Sequence, residues 1–155
     1  MEVEEESRDK WVALLRGVKF FDVFDDGDLE KLLDAGHVRR FNLHEYIIRE
    51  GDSDHSFFVI LKGKAKIIKM GPLKKKKELW PLAKGDCFGE VGLLLQDQRT
   101  ASVLASGECF VFRIDAGSIA ALSTTTREKL YLRIAVFLAE RLKSTTDYAV
   151  SPCFI

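Results

Sequence analysis

The chain has 155 residues, a length that accommodates one domain or at most two very small ones. Hydrophobic residues make up 46% of the chain and charged residues 31%, a globular composition that excludes collagen-like and extensively disordered proteins. Lysine plus arginine and aspartate plus glutamate both number 24, so no overall basic field is available to recruit nucleic acid. The three cysteines, Cys87, Cys109 and Cys153, form no CxxC pair, which disfavours a disulfide scaffold or a zinc ribbon.

Membrane, metal and catalytic signals are all weak in this sequence. No apolar run approaches the roughly 20 residues of a membrane-spanning helix. The first residues are acidic, with Glu4, Glu5 and Glu6 where a secretory signal would be basic. The three histidines have neither HxH nor HExxH spacing, and no nucleophile is paired with a base in a readable pattern. We therefore expect a single cytoplasmic domain, residues 1–155, that holds no metal and is not an enzyme.

The first predicted elements, within residues 1–36, are helices. A first helix is indicated by apolar residues at helical spacing, namely Trp11, Leu14, Leu15 and Val18. Asp26-Gly27-Asp28 offers a cap for a second, short helix, which Gly36 would end.

Between residues 37 and 114 the pattern changes to short strands. Runs rich in valine, isoleucine and phenylalanine are separated by turns that centre on glycine, at Gly51, Gly63, Gly71, Gly85 and Gly107. Strands that end about every ten residues favour an antiparallel β-roll, of the double-stranded β-helix or jelly-roll kind. Residues 56–69 are predicted to form a hairpin around one of these glycines, at position 63.

Helical periodicity returns in residues 115–148. Asp115 can cap a first helix, and Thr125 with Glu128 has the spacing of a capping box for a second helix. Along this second helix apolar side chains recur every three or four residues, at Tyr131, Ile134, Leu138 and Leu142. This stripe is either an intramolecular core face or the seam of a homodimer. The predicted fold class is therefore α+β, with helices before and after the β-roll.

Residues 88–103 combine the features of an anion site. Gly89 and Gly92 bracket the start of a short helix, where free backbone N–H groups and the positive end of the helix dipole favour an anion. Arg99 can return over the same point and bind a phosphate through two hydrogen bonds. Because Glu90 would repel a phosphate, its carboxylate is better suited to accept a hydrogen bond from a hydroxyl of the same ligand. A phosphate held beside a sugar hydroxyl indicates a nucleotide. The alternative is a surface salt bridge between Arg99 and Glu90.

In these residues the sequence resembles the cyclic nucleotide-binding domain family. The family's phosphate-binding cassette reads FGE, a few small and apolar residues, and then R-[TSA]-A-[STA]-V, and residues 88–103 match this pattern. The resemblance extends over about residues 18–146. It implies that Arg99 pairs with the cyclic phosphate and that Glu90 binds the ribose 2′-hydroxyl. It further implies that the phosphate is lined by Gly89, Val91, Gly92, Thr100 and Ala101.

Three threonines are implied as contacts of the nucleobase. Thr100 follows the arginine, and a threonine there occurs in members selective for cyclic GMP and also in several cyclic AMP sensors. The last helix resembles the long helix of the Crp/Fnr-type bacterial sensors. In the cyclic AMP sensor of that group, two adjacent hydroxyl residues meet the adenine. Thr145 and Thr146 match those positions, and they either contact the base or only end the helix.

The resemblance implies a stand-alone regulatory sensor that binds a 3′,5′-cyclic mononucleotide, with cyclic AMP preferred to cyclic GMP, and reports occupancy through its last helix. No cofactor beyond this ligand is expected. Because no helix-turn-helix follows in the sequence, direct DNA binding is not expected, and an unknown effector protein or a homodimer would carry the response. The competing hypothesis is a protein-interaction module on the same β-roll that binds no nucleotide. The basic run Lys74–Lys77 is interpreted as a solvated hairpin tip, although it could also touch a membrane or nucleic acid.

Overall fold

The computed structural model describes residues 8–146, with side chains described as far as residue 144. The helices in this range are α1 (Arg8–Arg16), α2 (Asp26–Ala35), α3 (Glu90–Leu95), α4 (Ala116–Ala121) and α5 (Thr124–Thr146). The strands are β1 (His37–Phe41), β2 (Tyr46–Ile48), β3 (Phe57–Lys62), β4 (Lys64–Met70), β5 (Lys76–Ala83), β6 (Cys87–Phe88), β7 (Ser102–Ala105) and β8 (Cys109–Ile114). A single 3₁₀ turn lies at Lys19–Phe21, and Pro72–Lys74 form a turn that includes left-handed backbone. No helix in this range is long and apolar enough to cross a membrane.

The strands form two antiparallel sheets of four strands each, in the orders β1-β8-β3-β6 and β2-β7-β4-β5. One core lies between the two sheets, and a second core lies between the first sheet and helices α1, α2, α4 and α5. Strand β3 serves both cores, because Phe58 and Ile60 face the other sheet while Phe57, Val59 and Leu61 face the helices. A strand buried on both faces accounts for this uninterrupted apolar run. The predicted α+β fold with an antiparallel β-roll is confirmed.

The predicted hairpin around Gly63 is wrong. Strands β3 and β4 belong to different sheets and do not pair with each other. Gly63 is the corner at which the chain passes from one sheet to the other, with φ of +90°, and a Cβ atom there would overlap the carbonyl oxygen of Glu108. The hairpin lies one strand later, between β4 and β5, and it carries the Lys74–Lys77 run at its tip.

The helix caps differ in part from the sequence expectation. The cap of α2 lies at Asp25, one residue earlier than expected; Asp25 and Asp28 accept hydrogen bonds from each other's backbone N–H. The cap at Asp115 is confirmed by the 2.8 Å hydrogen bond that it accepts from the N–H of Ser118. The capping box at Thr125 is wrong, because α5 already begins at Thr124 and the hydroxyl of Ser123 accepts from the N–H of Thr126.

The apolar stripe of α5 is divided between core and surface. Ile134 is buried and Leu138 packs against the core beneath the first sheet, so this part of the stripe is intramolecular. Tyr131 and Leu142 are 42% and 55% exposed. The dimer seam therefore stays a prediction that concerns these two exposed side chains.

A buried carboxylate links α2 to the start of α5. Asp28 accepts a hydrogen bond from the Thr126 hydroxyl at 3.0 Å and one from the Lys129 ammonium at 2.6 Å. Burial by itself raises the pKa of Asp28, but the hydrogen bonds from Lys129, the Asp25 N–H and Thr126 outweigh it and hold this pKa below its ordinary value. The ionised carboxylate thus stabilises the position of α5 on the N-terminal helices.

Replacing this carboxylate tests the link. Asp28→Asn removes a charge-assisted hydrogen bond, and we expect the free energy of unfolding to fall by about 2 kcal/mol at neutral pH. Because the folded-state pKa lies below the unfolded value of about 3.9, the contribution of Asp28 is complete above that pH and is lost as the pH falls through the folded-state pKa. The difference between wild type and variant, measured by urea unfolding, should shrink in acid. The exposed Asp22→Asn variant is the control, and a difference that widens in acid would contradict this account.

Candidate ligand-binding site

The predicted anion site lies where β6 runs into α3. Gly89 caps α3 in a left-handed conformation, with φ of 90°, and Gln96 ends the helix in a second left-handed residue, with φ of 57°. The first backbone hydrogen bond within α3 runs from the N–H of Leu93 to the carbonyl of Gly89. The N–H groups of the first turn, from Glu90 to Gly92, thus have no acceptor within the helix itself. These groups form one wall of the site.

Arg99 is buried against this helix start. Its side chain is 1% exposed, and Nη2 donates to the carbonyl of Ser56 at 2.6 Å. Nη1 donates to the carbonyl of Gly89 at 3.2 Å. The Nε–H group is buried and has no hydrogen-bond partner among the described residues. A desolvated guanidinium with donor capacity to spare is suited to bind an anion.

Two further residues near Arg99 were not predicted from the sequence. Asp54, in the loop between β2 and β3, lies 3.3 Å from Arg99 and 3.3 Å from Arg113 of β8. Two guanidinium groups therefore share one carboxylate. Burial raises the pKa of Asp54, but hydrogen bonds from Ser56 and the two arginine charges more than offset it and leave this pKa below its ordinary value. Burial lowers the pKa of Arg99, which Asp54 opposes.

The two glycines of the cassette allow the arginine to lie this close to the helix. A Cβ atom at position 92 would lie 2.5 Å from Nη1 of Arg99, and one at position 89 would lie 2.6 Å from the carbonyl oxygen of Ser56. Gly89 also has the positive φ that other residues rarely adopt. Glycine is therefore required at both positions for the guanidinium of Arg99 to lie against the start of α3.

Glu90 is connected to the last helix rather than to solvent. Its side chain is 1% exposed, and Oε1 accepts a hydrogen bond from Nη1 of Arg141 at 3.2 Å. Arg141 also donates to the carbonyl of Cys87 at 3.3 Å and lies 4.4 Å from the ring centroid of Phe137. Because Arg99 and Glu90 are both buried, with ion-pair partners in Asp54 and Arg141, a surface salt bridge between them does not describe this site.

The remaining predicted ligand residues differ in their exposure. Val91 is half-buried on α3 and Thr100 is exposed beside Arg99, and their ligand contacts stay predictions. Ala101 is 2% exposed and packs in the core between the sheets, which leaves its backbone for a ligand contact. Thr145 and Thr146 lie in the last turn of α5, and their predicted base contacts fall outside the described side chains.

The charged groups at this site suit an anionic ligand that also carries a hydroxyl group. Three guanidinium groups and two carboxylates meet here, and the described residues contain no cluster of side chains able to hold a metal ion. The neighbouring thiol of Cys87 is fully buried, and burial raises its pKa well above the ordinary value.

The chain is thus an antiparallel roll in which a buried arginine lies against a helix start bracketed by two glycines. The family model described as the cyclic nucleotide-binding domain matches residues 38–126, which is more than half of the chain. The chain therefore belongs to the cyclic nucleotide-binding domain family, and the resemblance found in the sequence is confirmed.

Similar proteins include kinases and a transcriptional regulator. Human cGMP-dependent protein kinase 2 is 34% identical over 92 residues, which cover 59% of this chain and 12% of the kinase. The cAMP-activated global transcriptional regulator Vfr of Pseudomonas aeruginosa is 34% identical over 122 residues, which cover 76% of this chain and 56% of the regulator. The chain thus spans about an eighth of the length of the first relative and little more than half of the second.

Solved structures show the same fold. The regulatory domain of Toxoplasma gondii PKA with cAMP is 27% identical, with a TM-score of 0.68 over 84% of this chain and 50% of that chain. A cyclic nucleotide-binding domain from Methylobacillus flagellatus has a TM-score of 0.79 over 96% of this chain and 85% of that chain. At 18% identity the second likeness supports the fold alone.

Proposed function

We propose that this chain binds a 3′,5′-cyclic mononucleotide, with cyclic AMP preferred to cyclic GMP, and that it acts as a cytoplasmic regulatory domain by binding and not by catalysis. The observation that carries the proposal is the buried guanidinium of Arg99, which lies against Gly92 at the start of α3 with its Nε–H not hydrogen-bonded within the described chain. A singly charged cyclic phosphate satisfies this excess of donors and of positive charge.

The phosphate would lie between Arg99 and the first turn of α3. There it accepts hydrogen bonds from the guanidinium and from the backbone N–H groups at Val91 and Gly92, which the helix itself leaves unused. Exposed Thr100 and the backbone of Ala101 would complete this wall. Asp54 would orient the guanidinium from behind, since it is bound to Nη2.

The ribose would bind through Glu90, whose carboxylate accepts the hydrogen bond of the 2′-hydroxyl. The same carboxylate accepts from Arg141, so the ribose contact and the position of α5 share one group. A ligand changes a conformational equilibrium only if it binds the two states differently. Sharing of Glu90 provides that difference, and we propose that occupancy is transmitted through α5 to an effector protein or to a homodimer.

The base preference rests on three hydroxyl residues. Thr145 and Thr146 would meet adenine from the end of α5, and Thr100 is the position from which guanine would be contacted. Closure of α5 over the base would therefore favour cyclic AMP.

Isothermal titration calorimetry with both nucleotides tests the proposal. We expect micromolar or tighter binding of cyclic AMP and weaker binding of cyclic GMP. A nucleotide at 100 times its dissociation constant should also stabilise the fold by about 2.7 kcal/mol, which a melting curve detects. If neither nucleotide binds, the proposal fails and the protein-interaction module becomes the better hypothesis.

Gly92→Ala tests the close approach of the helix to Arg99. The added methyl group lies within 2.5 Å of Nη1, so the guanidinium must move away from the phosphate position. We expect cyclic AMP affinity to fall by about 1–2 kcal/mol, the scale of one weakened charge-assisted hydrogen bond. Gly107→Ala is the matched control, because a Cβ atom at position 107 meets nothing within 4 Å. Equal affinities in the two variants would show that the approach is not needed.

A further inference from the structure

The β4–β5 hairpin concentrates the positive charge of a chain that is neutral overall. Residues 64–83 contain one acidic residue, Glu78, and seven lysines: Lys64, Lys66, Lys69, Lys74, Lys75, Lys76 and Lys77. Since the whole chain has 24 basic and 24 acidic residues, the rest of it is net acidic. The hairpin thus carries a net positive charge, while the rest of the chain carries a net negative one.

Apolar side chains accompany these lysines at the hairpin tip. Leu73, in the turn between the strands, is 90% exposed, and Met70 at the end of β4 is 46% exposed. Leu73 and Lys74 both have left-handed φ angles, of 63° and 56°, which residues other than glycine seldom adopt. The turn therefore holds a leucine in water beside a row of lysines.

Glu78 and Glu50 supply negative charge at this hairpin, Glu50 accepting a hydrogen bond from the Met70 N–H at 3.1 Å, so the charge of the seven lysines is only partly compensated. Lys69 and Lys77 are direct cross-strand neighbours, a pairing of like charges that destabilises a sheet. Lys66 pairs with Glu78, whereas Lys76 donates to the neutral Tyr46 hydroxyl. Lysines on an edge strand such as β5 also discourage unwanted strand pairing. That role leaves the exposed leucine at the tip unexplained.

We propose that this tip docks on an anionic lipid bilayer. Its lysines would lie over the acidic headgroups while Leu73 and Met70 enter the headgroup layer, the combination by which peripheral proteins bind a membrane surface. By charge alone, the lysines of the tip would also suit a nucleic acid. The exposed apolar tip favours lipid, because a phosphate backbone gives a leucine nothing to contact. This surface lies on the β4–β5 connection, apart from the residues of the nucleotide cassette.

Vesicle co-sedimentation of the full chain tests the docking. We expect binding to phosphatidylcholine vesicles that contain about 30% phosphatidylserine, none to pure phosphatidylcholine, and loss of binding at high salt. Replacing Lys74, Lys75 and Lys77 by glutamine should weaken partitioning about fivefold for each lysine, roughly a hundredfold in all. The control replaces Lys10, Lys19 and Lys31, exposed on the N-terminal helices, by glutamine and should change partitioning little.

Leu73→Ser separates the lipid from other anionic partners. The substitution keeps every charge, so it should weaken vesicle binding about tenfold and leave any binding to duplex DNA unchanged. Thermal melts of all variants verify that the fold is retained. The proposal is overturned if wild type stays in solution with anionic vesicles, or if the N-terminal control variant loses as much partitioning. It is also overturned if Leu73→Ser has no effect on vesicles, and tight DNA binding would then assign the tip to nucleic acid.

Discussion

Arg99→Ala should weaken cyclic AMP binding by about 2–5 kcal/mol, roughly 30-fold to several thousand-fold. The guanidinium is 1% exposed and already held in place by the carbonyls of Ser56 and Gly89, so the proposed phosphate would meet a preorganised donor. Removing that donor leaves a buried phosphate short of countercharge. Isothermal titration calorimetry at constant ionic strength measures this loss of affinity directly.

Two further variants make this result specific. Arg99→Lys keeps the charge but loses the planar pair of donors, so we expect an intermediate loss of affinity. Arg40→Ala removes a half-exposed arginine that pairs with Glu108 at the surface, and it should leave the affinity unchanged. Binding that survives Arg99→Ala at wild-type strength would remove Arg99 from the site and with it the assignment of the phosphate position.

The cassette could be predicted from the sequence because its parts are contiguous. The glycines, Glu90 and Arg99 lie within residues 88–103, and a helix start followed by a returning arginine is a local pattern. The residues that complete the charge balance are remote in sequence. Asp54 lies 45 positions from Arg99, and Arg141 lies 51 positions from Glu90. No local periodicity connects them, so only the folded chain shows these pairs.

The same distinction applies to the fold. Glycine-centred turns at regular spacing predicted an antiparallel roll, since each turn is a local feature. Strand partners are nonlocal, and the error at Gly63 follows from this. Two short strands around a glycine fit a hairpin and a sheet-to-sheet corner equally well. The corner is required here because β3 is already flanked by β8 and β6.

Arg141→Met should uncouple α5 from the cassette. The Arg141 and Glu90 side chains are 13% and 1% exposed, and breaking a buried pair costs about 3–5 kcal/mol. This cost falls on the contact between the last turns of α5 and the start of α3. In the free protein, we therefore expect amide hydrogen exchange in residues 138–144 to rise by about two to four orders of magnitude. Methionine retains much of the apolar packing on Phe137, so the change in exchange results from the lost charge of Arg141.

The response to nucleotide distinguishes coupling between the cassette and α5 from a simple loss of α5 stability. In wild type, cyclic AMP should slow exchange in residues 88–103 and also in residues 138–144, because in the proposed complex the ribose would share Glu90 with Arg141, which already donates to this carboxylate. In Arg141→Met the first effect should persist and the second should disappear. Arg133→Met is the matched control on the same helix, since its guanidinium donates to the carbonyls of Phe20 and Lys19 and to no carboxylate of the cassette. If nucleotide still protects residues 138–144 in Arg141→Met, α5 must sense the ligand by another contact, and the shared carboxylate is not the route.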